Sequence, residues 1–134
     1  MIVDSNIFID VFNPEDAMAE TVRKSLESWS LEVQPCINPV IFAELSPGFA
    51  DCQQLESILG GFNVRYVEFT PADAFRAGQA FRTYRIKGGP RISLIPDFLI
   101  GAQAAVRGWP ILTRDSRRFS NYFPEVKLID PTAS

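Results

Sequence analysis

The sequence predicts an α/β fold in which a central parallel sheet is sandwiched by helices. Short apolar segments alternate with longer segments of helical pattern along the whole chain, and this alternation favours parallel strands joined by helices. Hydrophobic residues make up 46% of the 134 positions, which is enough for a core. No repeat or linker divides the sequence, so we predict one domain over residues 1–134.

Five segments have the pattern of short strands. The first is apolar and starts the chain, at residues 1–4. The other four predicted strands cover residues 33–37, 64–69, 111–113 and 126–129. A parallel sheet of this kind places functional sites at the carboxyl ends of its strands.

Capping residues and proline mark the predicted helices. Pro14-Glu15-Asp16 puts proline and acids at the start of a helix over 14–29. Asn38-Pro39 reads as an N-cap and first turn for a helix over 39–45. Thr70-Pro71-Ala72-Asp73 is a capping box before a helix that reaches residue 85. The remaining candidates are helices over 51–59 and 97–107 and a helical turn over 117–122.

The absence of histidine restricts the available chemistry. It excludes Ser-His-Asp and Cys-His nucleophilic catalysis in their usual forms. With only two cysteines, Cys36 and Cys52, an ordinary zinc site is excluded as well. Carboxylates are therefore the leading candidates for an active centre. As hard oxygen ligands they indicate Mg²⁺ or Mn²⁺.

The N-terminal segment and the cysteines indicate a cytoplasmic protein. Met1-Ile2-Val3-Asp4 lacks the basic start and long apolar stretch of a signal peptide. No apolar run approaches the roughly 20 residues that cross a bilayer. Two cysteines form no disulfide framework. We therefore expect a reducing compartment and no membrane partner.

Charge is distributed unevenly along the chain. The net charge is −3, but residues 76–118 hold nine of the thirteen basic residues and only two acids. That basic segment could present phosphate-binding side chains to a polyanion. Its arginines could equally well solvate helix faces. Charge alone leaves both interpretations open.

Two aspartates follow predicted strands. Asp4 lies between the first strand and a helix, and Asp115 comes directly after the strand at 111–113. Both positions suit a metal ligand at the edge of an open sheet. Both also have a local explanation, because Asp4 can cap a helix and Asp115 can open a turn.

Two further acids lie on predicted helices. Glu44 shares a face with Val40 and Ile41, where burial of an uncompensated carboxylate is costly. A divalent metal would compensate the charge, and so would a boundary position that lets the carboxylate reach water. Asp97 starts its helix, where it could bind a metal or simply favour the helix dipole.

Together the acids define a candidate catalytic and metal-binding centre: Asp4, Glu44, Asp97 and Asp115. Four acids converging at one sheet edge repel one another unless one or two divalent cations neutralise them. Such a centre polarises a phosphodiester and activates water. Neighbouring side chains that could orient ligands by hydrogen bonds are Ser5, Asn6 and Thr113.

The sequence resembles the PIN domain family. The matching motifs are Asp4-Ser5-Asn6 after the first strand, Glu44 in the helix over 39–45, Pro96-Asp97-Phe98-Leu99-Ile100-Gly101-Ala102, and Thr113-Arg114-Asp115 with Phe119. The similarity extends from about residue 3 to Ile129, and four motifs in this order and spacing are specific. Within the family, the chain is most similar to VapC toxins, the ribonuclease halves of toxin–antitoxin pairs.

This resemblance implies a five-stranded parallel sheet and a Mg²⁺- or Mn²⁺-dependent endoribonuclease. It implies cleavage of structured RNA, either tRNA or rRNA, by a metal-activated water. Asp4, Glu44, Asp97 and Asp115 match the acidic quartet of the family. A cognate VapB-type antitoxin and a homodimer are further implications.

Basic residues of the 76–118 segment are the predicted contacts for an RNA partner. Candidates for holding the RNA backbone are Arg85, Lys87, Arg91, Arg114 and Arg117. A haloacid-dehalogenase-type phosphatase is disfavoured, because Asn6 stands where it needs a second acid. The remaining alternative is a catalytically quiet PIN-like module that binds RNA or a protein, which the four mutually repelling acids disfavour. Asp10 is interpreted as structural.

Overall fold

A computed structural model describes residues 1–89 and 95–133. Its strands are β1 (Ile2–Val3), β2 (Cys36–Ile37), β3 (Arg65–Tyr66), β4 (Ile111–Leu112) and β5 (Leu128–Ile129). They form one sheet in the order β3-β2-β1-β4-β5, and every pairing is parallel. The predicted α/β fold and parallel sheet are confirmed. Each strand is shorter than predicted; Asp4, for example, serves as the N-cap of α1.

Seven α-helices flank the sheet in the described part of the chain. They are α1 (Ser5–Phe12), α2 (Ala19–Ser30), α3 (Pro39–Leu45), α4 (Cys52–Gly61), α5 (Pro71–Ile86), α6 (Ile95–Arg107) and α7 (Arg117–Ser120). A 3-10 turn, Ser46–Gly48, follows α3. None of these helices is long and apolar enough to span a bilayer.

The predicted start of the second helix, at residue 14, is wrong. Turns follow α1, and in them the Asn13 side chain accepts a hydrogen bond from the N–H of Glu15 (3.3 Å). The Asp16 side chain accepts one from the N–H of Met18 (2.8 Å). The helix begins only at Ala19. The polar residues that suggested a helix start therefore cap turns instead.

Two predicted helix starts are confirmed in detail. The Asn38 side chain accepts a hydrogen bond from the N–H of Ile41 at the start of α3. Thr70 and Asp73 form both hydrogen bonds of the capping box at the start of α5. These caps satisfy backbone donors that have no partner inside the helix.

The direction of strand addition reverses next to β1. The chain runs from β1 outward to β2 and β3, then returns to β4 and β5 on the other side of β1. Because parallel crossovers are right-handed, the helices before and after β3 cover opposite faces of the sheet. Helix α1 packs against α2 and α3, and α6 packs against α5 and α7. The reversal leaves a crevice at the carboxyl ends of β1 and β4, where open α/β sheets hold their sites.

The packing of α6 depends on Gly101. A Cβ built at Gly101 would lie 2.4 Å from the Phe123 ring, so a larger residue would force that ring to move. Phe98, Phe119 and Phe123 are all buried. The Phe98 and Phe123 rings lie 6.4 Å apart between centroids, and α7, which carries Phe119, packs beside α6.

Candidate active site

Asp4 directly follows β1 and is completely buried. Its N–H donates to the Leu112 carbonyl of β4 (3.0 Å). Its Oδ1 accepts a hydrogen bond from the N–H of Ser5 (2.8 Å), which caps α1. Its Oδ2 accepts one from the Thr113 hydroxyl (2.8 Å). The capping role considered from the sequence is therefore real, and Oδ2 also accepts a hydrogen bond from a second partner.

That partner is Arg118 of α7. Its Nη1 donates to Asp4 Oδ2 (2.7 Å), and its Nη2 donates to Asp97 Oδ1. Asp97 lies in the first turn of α6 with 17% of its side chain exposed. A single guanidinium thus joins the carboxyl end of β1 to the start of α6.

Glu44 is positioned by the buried cap of its helix. The Asn38 amide donates to Gln103 Oε1 (2.9 Å), and Gln103 in turn donates to the carbonyls of Val67 and Glu68. These contacts tie the start of α3 to α6 and to the end of β3. Glu44 lies near the end of α3, at the exposed rim of the site.

The pKa values of Asp4 and Glu44 reflect their burial and the charges around them. Burial raises the pKa of Asp4 above its usual value, and the nearby charge of Arg118 partly offsets this rise. Partial burial likewise raises the pKa of Glu44; a hydrogen bond with Ser5 lowers it, and the charges of Asp4 and Asp97 raise it further. The structure thus joins two of the four predicted acids, Asp4 and Asp97, through one arginine, and Glu44 lies near enough to be influenced by their charges.

Asp115 contributes backbone hydrogen bonds to the loop after β4. Its N–H donates to the Thr113 hydroxyl (3.0 Å), and its carbonyl accepts from the N–H of Arg118 (3.3 Å). Among the residues that the structure describes, its carboxylate forms no hydrogen bond or ion pair, in contrast to those of Asp4 and Asp97. Its backbone therefore shapes the loop that carries Thr113 and Arg118, and its role as a ligand stays a prediction.

The predicted supporting residues lie within the same network. The Asn6 amide donates to the Thr113 hydroxyl (3.4 Å), and its carbonyl oxygen accepts from the N–H of Arg114 (3.3 Å). These bonds hold the loop after β4 against the start of α1. Thr113 is thereby fixed as the donor that orients the Asp4 carboxylate.

Sequence reasoning missed Arg118. It counted as one of nine basic residues in a segment, and nothing in its residue type separates it from the others. The available signal is its place directly before Phe119, whose buried ring anchors α7. That anchor matters only once α7 is known to pack on α6 beside Asp97.

The five candidates for RNA contact have different surroundings. Arg114 forms an ion pair with Asp10 (2.6 Å), which supports the structural interpretation of Asp10. Arg85, Lys87 and Arg117 are exposed, and Lys87 lies over the Tyr122 ring at 5.7 Å. Arg91 lies outside the described residues.

The donor chemistry of the site fits a hard divalent cation. Asp4, Glu44 and Asp97 offer carboxylate oxygens, and a cationic group already lies between two of them. Within residues 1–89 and 95–133, however, no three Asp, Glu or Cys side chains are close enough together to hold a metal ion as they stand. The guanidinium of Arg118 occupies the space between Asp4 and Asp97.

Several solved structures share the fold of this chain. A VapBC2 complex of Rickettsia felis bound to promoter DNA aligns with a TM-score of 0.72 and 20% identity, covering 95% of each chain. FitAcB of Neisseria gonorrhoeae aligns with a TM-score of 0.71 and 24% identity, covering 97% of this chain and 96% of that one.

A third similar structure is described as a toxin. VapC20 of Mycobacterium tuberculosis, described as a sarcin-ricin loop cleaving toxin, aligns with a TM-score of 0.61 and 17% identity, covering 94% of this chain and 98% of that one. At these identities the likeness concerns the fold. No curated protein matches the sequence with significance.

A family model decides the classification. The model of the PIN domain matches residues 1–122, which include the whole Asp4–Arg118–Asp97 arrangement. The chain therefore belongs to the PIN domain family.

Proposed function

We propose that this protein is a metal-dependent endoribonuclease, the toxin component of a VapC-type toxin–antitoxin pair. The observation that carries the proposal is the charge of the site. Arg118 bridges the carboxylates of Asp4 and Asp97 at the carboxyl edge of the sheet, and the charges of these two acids raise the pKa of the neighbouring Glu44. Because like charges this close disfavour joint ionisation, the site gains by taking up a cation.

Asp4, Glu44 and Asp97 are the proposed metal ligands, and Asp115 completes the quartet. Mg²⁺ or Mn²⁺ suits ligands of this kind. A bound divalent ion would supply Lewis-acid activation of water and of the scissile phosphodiester. Thr113 holds the Asp4 carboxylate in orientation, as hydrogen-bonded neighbours of ligating carboxylates do. Asn6 holds Thr113, and Asn38 fixes the helix that carries Glu44.

The proposed substrate is a structured RNA, either tRNA or rRNA, in the cytoplasm. The description of VapC20 as a sarcin-ricin loop cleaving toxin supports an RNA target. The exposed cations Arg85, Lys87 and Arg117 are proposed to bind its phosphates. Complexes such as VapBC2 support a VapB-type antitoxin as partner, and a homodimer is proposed from the family resemblance.

The place of Arg118 favours one other candidate function, the catalytically quiet module. A permanent guanidinium between Asp4 and Asp97 would keep a metal out, and the protein would then act only by binding RNA or another protein. Cleavage and metal binding separate the two candidates.

The test is cleavage of total small RNA by antitoxin-free protein with Mg²⁺ or Mn²⁺. Parallel reactions contain EDTA, the Asp97→Asn variant, or Asp51→Asn as a matched control. Asp51 is the exposed N-cap of α4, and asparagine caps equally well. We expect discrete products from wild type and Asp51→Asn, and a loss of about 100-fold or more in Asp97→Asn.

Each other outcome has a defined meaning. Equal products from wild type and Asp97→Asn would indicate a contaminating nuclease and remove the role of Asp97. A complete absence of products, together with a failure to bind Mn²⁺, would replace the proposal with the quiet module.

A further inference from the structure

Arg118 is the only cation of the described residues that forms ion pairs with two acids of the proposed metal site. Its guanidinium spans Asp4 and Asp97, one carboxylate oxygen on each. The side chain is 21% exposed, so it lies at the mouth of the site with one side toward solvent. Its guanidinium carbon also lies 5.1 Å from the centre of the Phe119 ring.

The position is one that a metal bridging the same carboxylates would need. A divalent ion binds carboxylate oxygens at about 2.0–2.6 Å, so it and the guanidinium cannot lie between Asp4 and Asp97 together. Both are cations, and both relieve the repulsion among the three acids. Arg118 and a metal therefore compete for one place.

Charge balance favours the metal once it is available. One guanidinium leaves a surplus of two negative charges when Asp4, Glu44 and Asp97 are ionised. A divalent ion balances the carboxylates more fully. Arg118 is carried by a helix of four residues, Arg117–Ser120, and its partly exposed side chain can rotate toward water without unfolding a long element.

We propose that Arg118 is a built-in counter-ion that keeps the metal-free site folded and that a divalent metal must displace before it binds. The inference rests on the proposed function, because it needs a metal at Asp4, Glu44 and Asp97. It adds a specific cost to metal entry: the apparent association constant equals the intrinsic constant multiplied by the fraction of molecules in which Arg118 has left the site.

Mn²⁺ binding without RNA tests this competition. Free Mn²⁺ is measured by electron paramagnetic resonance during titration of wild type, Arg118→Gln, Arg118→Lys and Arg82→Gln. Arg82 is exposed on α5, so Arg82→Gln makes the same change of net charge away from the site. Lysine keeps the charge of residue 118 but lacks the fork that spans two carboxylates.

We expect Arg118→Gln to bind Mn²⁺ about tenfold more tightly than wild type, as follows if Arg118 leaves the site in about a tenth of the molecules. Arg118→Lys should fall between them, and Arg82→Gln should stay within about twofold of wild type, because exposed charges are screened. Equal dissociation constants for wild type, Arg118→Gln and Arg118→Lys would overturn the inference and leave the proposed function intact. Absence of Mn²⁺ binding by every variant would overturn both.

Thermal unfolding gives a second readout that does not depend on the metal titration. In EDTA, Arg118→Gln should unfold at a lower temperature than Arg82→Gln, because its acids have lost their counter-ion. Saturating Mn²⁺ should raise its midpoint more than that of wild type. A midpoint of Arg118→Gln in EDTA equal to that of Arg82→Gln would contradict the counter-ion role.

Discussion

Two arginines pair with completely buried aspartates in this protein, with different consequences. Arg107 pairs with Asp73 and Arg118 with Asp4; the arginine side chains are 19% and 21% exposed. Arg107 places one nitrogen 2.7 Å from both oxygens of a single carboxylate. Arg118 divides its nitrogens between two carboxylates. Burial is the same in both pairs, and the number of carboxylates per guanidinium differs.

That difference separates a structural ion pair from a candidate site. Asp73 also accepts a hydrogen bond from the N–H of Thr70 in the capping box of α5. Its charge is thus matched one to one, and the pair joins α5 to α6. At Asp4, the neighbouring Asp97 and Glu44 leave negative charge in excess. Excess charge of one sign in a crevice is what a functional cation site requires.

The largest expected effect on stability comes from breaking the ion pair between Arg107 and Asp73. Arg107→Met leaves the Asp73 carboxylate buried without its cation, and the free energy of unfolding should fall by about 3 kcal/mol. Urea denaturation measures the change, with Arg82→Met on the exposed face of α5 as control. A loss no greater than that of the control would mean that the pair does not hold α5 on α6.

A smaller loss is expected at the cap that positions Glu44. Asn38 caps α3 and donates a hydrogen bond to the buried Gln103. Asp51 caps α4 at a solvent-exposed position. Asn38→Ala should cost about 2 kcal/mol and Asp51→Ala about 1 kcal/mol, because only the first leaves a buried amide unsatisfied. Equal losses in urea denaturation would show that the Asn38–Gln103 bond adds nothing.

The free energy of unfolding should also depend on pH through the buried carboxyl group of Asp4. Burial raises the pKa of Asp4 in the folded protein. The Asp4 carboxyl group therefore keeps its proton in the folded protein at a pH where it has already lost that proton in the unfolded chain. The stability linked to that proton is present at low pH and is lost as pH rises through the raised pKa. In EDTA, wild type should therefore gain stability relative to Asp4→Asn as pH falls from 7 toward the usual carboxyl range. A pH-independent difference between the two proteins in urea denaturation would contradict this.

The smallest effect is expected at the exposed cations near the site. Arg117→Gln should weaken RNA binding a few-fold and reduce the salt slope of log K by about 1, since one phosphate contact is lost. Filter binding at several salt concentrations measures both quantities. Arg65 is exposed on β3 outside the basic segment, and Arg65→Gln should leave the slope unchanged. Equal slopes for the two variants would remove Arg117 from the RNA interface.

The sequence predicted what depends on local chemistry. The strand that delivers Asp4, the Asn38 cap and the Thr70 capping box follow from neighbouring residues, and the parallel sheet follows from the order of elements. The start of the helix placed at residue 14 was wrong, because proline and acids serve turns as well as helices. Arg118 was missed because its role depends on the packing of α7 beside α6.

The central claim is that the carboxylates around Arg118 bind a divalent cation. Calorimetric titration of Mn²⁺ into metal-free protein tests it directly, with wild type, Asp97→Asn and the distant Asp51→Asn compared at pH 7. We predict binding by wild type and Asp51→Asn, and a loss of at least about tenfold in affinity for Asp97→Asn. No binding to folded wild type, or equal affinity for Asp97→Asn, would contradict the claim.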